Sequence, residues 1–295
     1  MTWSVVATVS EPEPLVMAFV AACLTRGASA VHLYLDSPQP GLEAALASVA
    51  RCHLIRCDAA YWRASPGGRP WPQSDRQRHN LKCAYEASSS DWMLNIDADE
   101  FLMGDGDPAR ALAALPEGCS FAQMRVAERV YLAMPDAHCI FDGVFRRPNP
   151  PELQAEVDRI DGDAARFLRQ GMTGYPTGKG FFRVGRGLTV DLHSAKGLRP
   201  QRMVVLPDWQ VQHFDGLTPK GWIWKKQRTM AQQPGWQNFA PERRAQCQAV
   251  ADAGTDFAAL ERLYLSIKQL AAGRAAALSD LGLIVRGSFR GARLI

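Results

Sequence analysis

Three acidic side chains at the end of an apolar run are the residues of this chain best placed to do chemistry. In Trp92-Met-Leu-Asn-Ile-Asp-Ala-Asp-Glu-Phe-Leu102 a short hydrophobic segment stops at Asp97, Asp99 and Glu100, then resumes at once with Phe101 and Leu102. Carboxylates at the edge of a buried strand lose hydration and need a positive partner. A hard divalent cation, which takes oxygen ligands and bridges to phosphates, is the partner this spacing suggests. The chemistry implied is capture of a metal–diphosphate, and so the handling of a sugar nucleotide. Solvated loop acids, or a capping cluster before a helix, are the structural alternative for the same residues.

The elements that must position these acids alternate. Residues 3–9, 31–35, 53–57 and 92–96 read as strands, and 14–25, 41–50 and 73–88 as helices, the last carrying Arg76, Arg78, Asn80 and Lys82. Alternation at this spacing predicts a parallel sheet with helices on both faces. Ligands of such sheets bind beyond the carboxyl ends of the strands. Ser10, Glu11, Asp36, Asp58 and Asp97 all fall there, which makes one rim of the sheet polar and acidic.

After Leu102 the pattern changes. A short helix is expected at 108–114 and a strand at 121–131. A long loop or insertion is expected over 146–176, and further strands, in mixed or antiparallel pairing, at 181–184, 188–192, 203–206 and 209–212. Helical signals dominate from Lys220, at 222–232, 241–252 and 256–271. The expected division is therefore a catalytic domain over 1–217 and a basic helical region over 218–295, with a basic tail at 286–295.

The chain has 295 residues, 47% hydrophobic and 22% charged, enough for a sizeable core. Its formal net charge of +4 is uneven: from Ala195 onward fifteen Lys/Arg face seven Asp/Glu, so that part carries +8 and residues 1–194 carry −4. An acidic part followed by a basic one suits an anionic ligand or a membrane surface. A general nucleic-acid binder would be more basic, so no nucleic-acid partner is expected. Seven scattered cysteines, odd in number and without Cys-x-x-Cys, fit a reducing cytoplasmic setting. The apolar stretch 15–24 is too short for a membrane span and lacks a basic leader.

The stretch Asn80-Leu-Lys-Cys-Ala…Asp91-Trp-Met-Leu-Asn-Ile-Asp-Ala-Asp-Glu-Phe-Leu resembles the family 2-like glycosyltransferases of GT-A fold. Val6-Ala-Thr-Val-Ser-Glu11 and Leu33-Tyr-Leu-Asp-Ser37 are similar to that family's first two nucleotide-binding strands. The resemblance is clear over residues 3–103 and patchier to about 230. It implies an α/β, GT-A (Rossmann-like) sheet, mixed but mainly parallel, with a C-terminal helical region. It also implies Mn²⁺ or Mg²⁺ on Asp97 and Asp99, Ser10, Glu11 and Asp36 lining the nucleoside pocket, and a UDP-sugar as donor. The acceptor would be a glycan or a lipid-linked glycan, met at the inner membrane face through the basic C-terminal half.

Two later clusters join the expectation. Gln212-His-Phe-Asp-Gly-Leu-Thr-Pro-Lys-Gly-Trp222 offers His213 as an imidazole ligand and Lys220 as a point charge for phosphates. It looks like the family 2-like His-aromatic pair before a lysine-bearing helix, and is also similar to the His-x-x-Gly-x-x-Lys-Pro-Trp motif of family 8 glycosyltransferases. Of Lys225, Lys226 and Arg228, at least two are expected only to solvate a helix face. Gly178-Lys-Gly-Phe-Phe-Arg183…Asp191-Leu-His193 resembles the Gly-Lys, later Arg and later His of family 2-like members, which implies Lys179 facing the leaving phosphate or the acceptor and sets His193 against His213 for the ligand role. An inverting transfer needs a base for the acceptor hydroxyl; Asp191, Glu128 and Asp142 are candidates by region. Trp62, Trp71 and Trp209 are candidates for stacking on a sugar, Trp71 foremost because its flanking prolines imply an exposed loop. A metal-dependent hydrolase or nucleotidyltransferase, or a non-catalytic binding protein of the same fold, would draw on the same residues.

Overall fold

The computed structural model of the protein describes residues 1–132, 141, 143–197 and 199–286. In chain order the strands are β1 (Trp3–Val9), β2 (Ala30–Leu35), β3 (Cys52–Arg56), β4 (Trp92–Asn95), β5 (Glu100–Gly104), β6 (Phe121–Val130), β7 (Val144–Arg146), β8 (Gly180–Arg183), β9 (Thr189–Val190), β10 (Ala195–Lys196), β11 (Met203–His213) and β12 (Ile284–Val285). The helices are α1 (Glu13–Thr25), α2 (Pro40–Leu46), α3 (Ala59–Arg63), α4 (Gln73–Ala87), α5 (Pro108–Ala113), α6 (Gln154–Asp161), α7 (Pro219–Gln232), α8 (Pro241–Ala253), α9 (Phe257–Lys268) and α10 (Ala272–Asp280). The chain is thus mixed α/β with a parallel central block, the class its sequence predicts. No described helix is long and apolar enough to cross a membrane.

Two compact units divide it. The first comprises Met1–Arg125 and Thr177–Val211; the second comprises Val126–Pro176 and 212–286 of the described residues. The expected boundary at 217 falls inside the second unit.

In the first unit β3, β2, β1 and β4 lie side by side and parallel, Ser4 opposite Ala30, Val31 opposite Cys52, and Trp3 opposite Trp92. β1 is buried along its whole length, as a central parallel strand covered on both faces must be. Beyond β4 the direction reverses: β8 runs antiparallel to it, and the first residues of β6 run antiparallel to β8. Helix α4 covers one face through Leu81, Ala84 and Tyr85, which pack with Tyr34, Trp62, Met93 and Phe182. Trp62 and Trp209, expected as stacking candidates, are buried, whereas Trp71 is 64% exposed.

Two expectations of strand layout are corrected. The acids at 97–100 do not simply end a strand; Asp97 and Asp99 lie in a turn and Glu100 already opens β5, which pairs with β11. Residues 203–213 are one strand rather than two, running through Pro207, which a strand tolerates where no ladder N–H is needed.

In the second unit the last residues of β6 pair with β7, and β7 with β12. The segment expected as a loop over 146–176 holds α6 and two short 3₁₀ turns, Pro151–Leu153 and Gly162–Phe167. Proline and glycine punctuate these short helices rather than abolish them. Helices α7, α8 and α9 pack through Trp222, Ile223, Val250, Leu260, Tyr264 and Ile267. The expected last helix at 256–271 ends at Lys268, and α10 follows. A buried ion triad also holds this unit: Asp161 takes both terminal nitrogens of Arg146, at 2.8 and 2.7 Å, and Nε of Arg274 at 2.9 Å.

Candidate functional site

Strand β4 leaves the sheet at Asn95, and the chain folds back within four residues. The Glu100 amide donates to the Asp97 carbonyl at 2.9 Å, while the Glu100 carboxylate accepts from the Asp97 amide at 2.9 Å. This reciprocal pair holds Asp97, Asp99 and Glu100 in one turn at the carboxyl end of a parallel strand, where α/β sheets bind ligands.

Lys179 enters the same turn from the start of β8. It is 3% exposed, and its ammonium donates to Asp97 Oδ2 at 2.7 Å and lies 3.5 Å from Glu100 Oε2. Burial works against its charge, but Asp97, Glu100 and Asp99 outweigh burial and hold its pKa above the ordinary lysine value. Lys179, expected before a phosphate or an acceptor, is thus tied to the acidic turn itself. The other Asp97 oxygen accepts from Gln77 of α4 at 2.9 Å. Lys179 therefore meets Asp97 and Glu100 directly, and Asp99 adds to the field that holds its charge. Gln77 was not singled out in the sequence; its position one turn before Asn80 on α4 is the signal that could have found it.

The lysine is seated by a glycine. A Cβ on Gly178 would stand 1.8 Å from the Met124 carbonyl oxygen, and the Met124 amide donates to the Lys179 carbonyl at 2.8 Å. Gly178→Ala is therefore expected to push Lys179 off β6 and cost about 1–3 kcal/mol in urea unfolding, the usual range for overpacking. Unchanged stability would show that this approach is not required.

His193 shares the neighbourhood. Its Nδ1 lies 3.2 Å from the Gly178 carbonyl oxygen, an acceptor, so Nδ1 carries the proton and Nε2 the lone pair. Burial and then Lys179 lower its pKa against the opposing Gly178 bond, Asp97 and Asp191, which favours the neutral ring.

Other expected residues are placed differently. Asp36 does not present an open carboxylate to a nucleoside: Arg76 binds it through Nε at 2.6 Å and Nη2 at 2.7 Å, and Arg69 adds a bond at 3.1 Å. Arg76 also donates to the carbonyls of Pro70 and Trp71 at 3.1 and 2.6 Å, fixing the loop that displays the Trp71 ring. Glu11 accepts from the Ser10 amide at 2.8 Å. Asp191 is held by Arg78 Nε at 2.8 Å and by the Leu192 amide at 2.8 Å. Burial would raise its pKa, but Arg78 more than offsets this and lowers it. That is the wrong direction for a base working near neutral pH.

In the second unit Glu128 is buried and accepts from Lys268 at 2.8 Å, from the Thr173 and Gly174 amides at 3.0 and 2.8 Å, and from the Thr173 hydroxyl. Glu128, a candidate base by region, is thus enclosed by its own hydrogen-bond network. His213 Nδ1 lies 3.7 Å from Glu128 Oε2, and its ring packs where a Cβ on Gly174 would stand. Asp215, two residues on, pairs with Lys225 at 2.8 Å and lies 3.7 Å from Lys268. Lys226 is buried beneath Trp222, where desolvation brings its pKa down to about 8, and Arg228 stacks on Trp224 at 4.4 Å. Of the three cations expected either to hold the diphosphate or, for at least two, to solvate a helix face, Lys226 is buried, while Lys225 and Arg228 lie at the surface against Asp215 and Trp224. Lys220 is exposed in the first turn of α7, 5.9 Å from the Phe257 ring centre. Asp142 and most of the tail 286–295 lie outside the described residues.

This network gives the second unit a pH signature. Burial raises the pKa of Glu128 and Asp215, but Lys268 for the first, and Lys225, Lys268 and Lys226 for the second, outweigh it and leave both lowered. Folded values below unfolded ones stabilise above the ordinary carboxylate range near pH 4, and that contribution is lost as pH falls through the lower folded values. Urea unfolding should weaken steeply below about pH 4, and less steeply in Asp215→Asn. Equal slopes would contradict the assignment.

No family model matches the chain, and no curated protein matches it in sequence. Among solved structures it is similar to residues 1–349 of TarS from S. aureus, with 11% identity over 85% of this chain and 70% of that one, at a TM-score of 0.39. HddC from Yersinia pseudotuberculosis is similar over 47% of this chain and 65% of its own, at 12% identity and a TM-score of 0.31. The galactosyltransferase LgtC, solved with donor and acceptor sugar analogues, is similar over 61% of this chain and 57% of its own, at 9% identity and a TM-score of 0.31.

Proposed function

We propose that the chain is a metal-dependent glycosyltransferase of GT-A type, taking a nucleoside diphosphate sugar, a UDP-sugar, as donor and a glycan or lipid-linked glycan as acceptor. The observation that carries this reading is the turn at 97–100: three carboxylates gathered around Lys179 at the carboxyl end of a parallel strand. A donor set dominated by carboxylate oxygens fits Mg²⁺ or Mn²⁺. Asp99 is the proposed direct ligand, because Asp97 is bonded to Lys179 and Gln77. When bound, such an ion would offset the charge that builds on a departing diphosphate.

The chain's own residues have distinct parts in this proposal. Lys179 and Gln77 orient Asp97. His193, neutral and with its lone pair on Nε2, is a candidate nitrogen ligand. His213, for the same role, and Lys220, for the phosphates, are retained on the sequence resemblance. Ser10 and Glu11 line the rim that receives the nucleoside, and Arg76 holds the loop that displays Trp71 to a sugar ring. The basic later half suits a peripheral contact with an anionic membrane face.

The test is a panel of UDP-sugars incubated with Mn²⁺, with and without glycan acceptors, with released UDP measured. Release that depends on acceptor is the expected result. Equal release without acceptor would replace the reading with a hydrolase, and pyrophosphate released from an NTP with a nucleotidyltransferase. Donor binding with no turnover would replace it with a binding protein.

A further inference from the structure

Away from the strand-end acids, two histidines stand face to face on neighbouring strands. His32 of β2 and His53 of β3 are direct register partners, their ring centres are 5.0 Å apart and their planes differ by 20°. β3 is the last strand on its side of the sheet; His53 is exposed and His32 half-buried, so the pair is reached from solvent at the sheet edge. Burial, and then His53, lower the pKa of His32, which favours the neutral imidazole that a metal requires.

We infer that His32 and His53 form a two-imidazole site for a borderline transition-metal ion of the Ni²⁺, Cu²⁺ or Zn²⁺ class. The separation fits. The rings are stacked in this structure, so their nitrogens do not converge in this pose, but the centres are near the required distance. With nitrogen–metal bonds of about 2.0–2.1 Å and roughly 1.2 Å from nitrogen to ring centre, two imidazoles that share an ion at a square or tetrahedral angle have centres about 4.5–5.3 Å apart and planes turned out of the stack. Rotation about χ2, a broad torsion in histidine, turns a nitrogen of each ring to a common point without moving the backbone. Among the described residues no third His, Cys, Asp or Glu donor converges on the pair, so the remaining positions are for water or an external ligand. Imidazole donors select this class of ion, whereas the carboxylates at 97–100 suit Mg²⁺ or Mn²⁺. The two sites therefore differ in metal preference as well as place. An ion here would tie edge strand β3 to β2 and stabilise the folded chain.

The test is calorimetric titration of untagged protein with Ni²⁺ in excess Mg²⁺, together with thermal unfolding. The expected result is one Ni²⁺ per chain and a higher Tm. His53→Ala, which alters an exposed side chain, should weaken binding by about tenfold or more and remove the Tm gain. Asp99→Ala should retain both. Absence of Ni²⁺ binding, or equal affinity in His53→Ala, overturns the site. Loss in Asp99→Ala with retention in His53→Ala would place the ion at the acidic turn and overturn it as well.

Discussion

Asp99→Ala is expected to lower kcat/KM for donor turnover by about 10³-fold, roughly 4 kcal/mol of transition-state stabilisation, while leaving the fold as stable as the parent or slightly more so. The two halves of this expectation have one cause. Asp99 shares its turn with the carboxylates of Asp97 and Glu100, whose charges repel its own. Removing one relieves repulsion in the free protein but takes away the oxygen proposed to hold the cation. A purely structural Asp99 would behave the other way, with unfolding weakened and turnover lost only in proportion to the folded fraction. Urea unfolding and initial rates on the same preparation separate the two.

Lys179→Met should do the opposite to stability. The ammonium is almost wholly buried and touches Asp97, itself 31% exposed, and Glu100, 7% exposed. Breaking a buried pair by removing one partner costs about 3–5 kcal/mol; water reaching Asp97 places this case near the lower end. The variant takes away the ammonium that meets Asp97 and Glu100, so millimolar Mn²⁺ should restore more stability to it than it adds to the parent. Unfolding free energy equal to the parent's, or equal stabilisation of both proteins by Mn²⁺, would show that Lys179 is not what balances the turn.

The parallel half of the fold was legible because hydrophobic runs, helix periodicity and strand-end acids coincide there: 3–9, 31–35, 53–57 and 92–96 lie within a residue or two of β1 to β4. The elements after β4 were harder to read for physical reasons. β5 begins directly after a turn of four residues, so no loop composition announces it. Pro207 interrupts the strand pattern of β11 but not the strand itself. The helices between 146 and 176 are too short for periodicity to register.

The acids of the candidate site were legible as a group, but their pairings were not. Which cation meets which carboxylate depends on contacts such as Lys179 with Asp97, Arg76 with Asp36 and Lys268 with Glu128, which are 82, 40 and 140 residues apart in the chain. Those pairings give three expected site residues, Asp36, Glu128 and Asp191, cationic partners within the chain. They leave Asp99 as the central claim.

Thermal unfolding with UDP, with and without Mn²⁺, tests that claim most directly. A ligand at about 100 times its Kd adds about 2.7 kcal/mol, a shift of several degrees for a chain of this size. The account predicts that UDP raises Tm only when Mn²⁺ is present, and that the shift disappears in Asp99→Ala. No shift in the parent, or an equal shift in the variant, would contradict it.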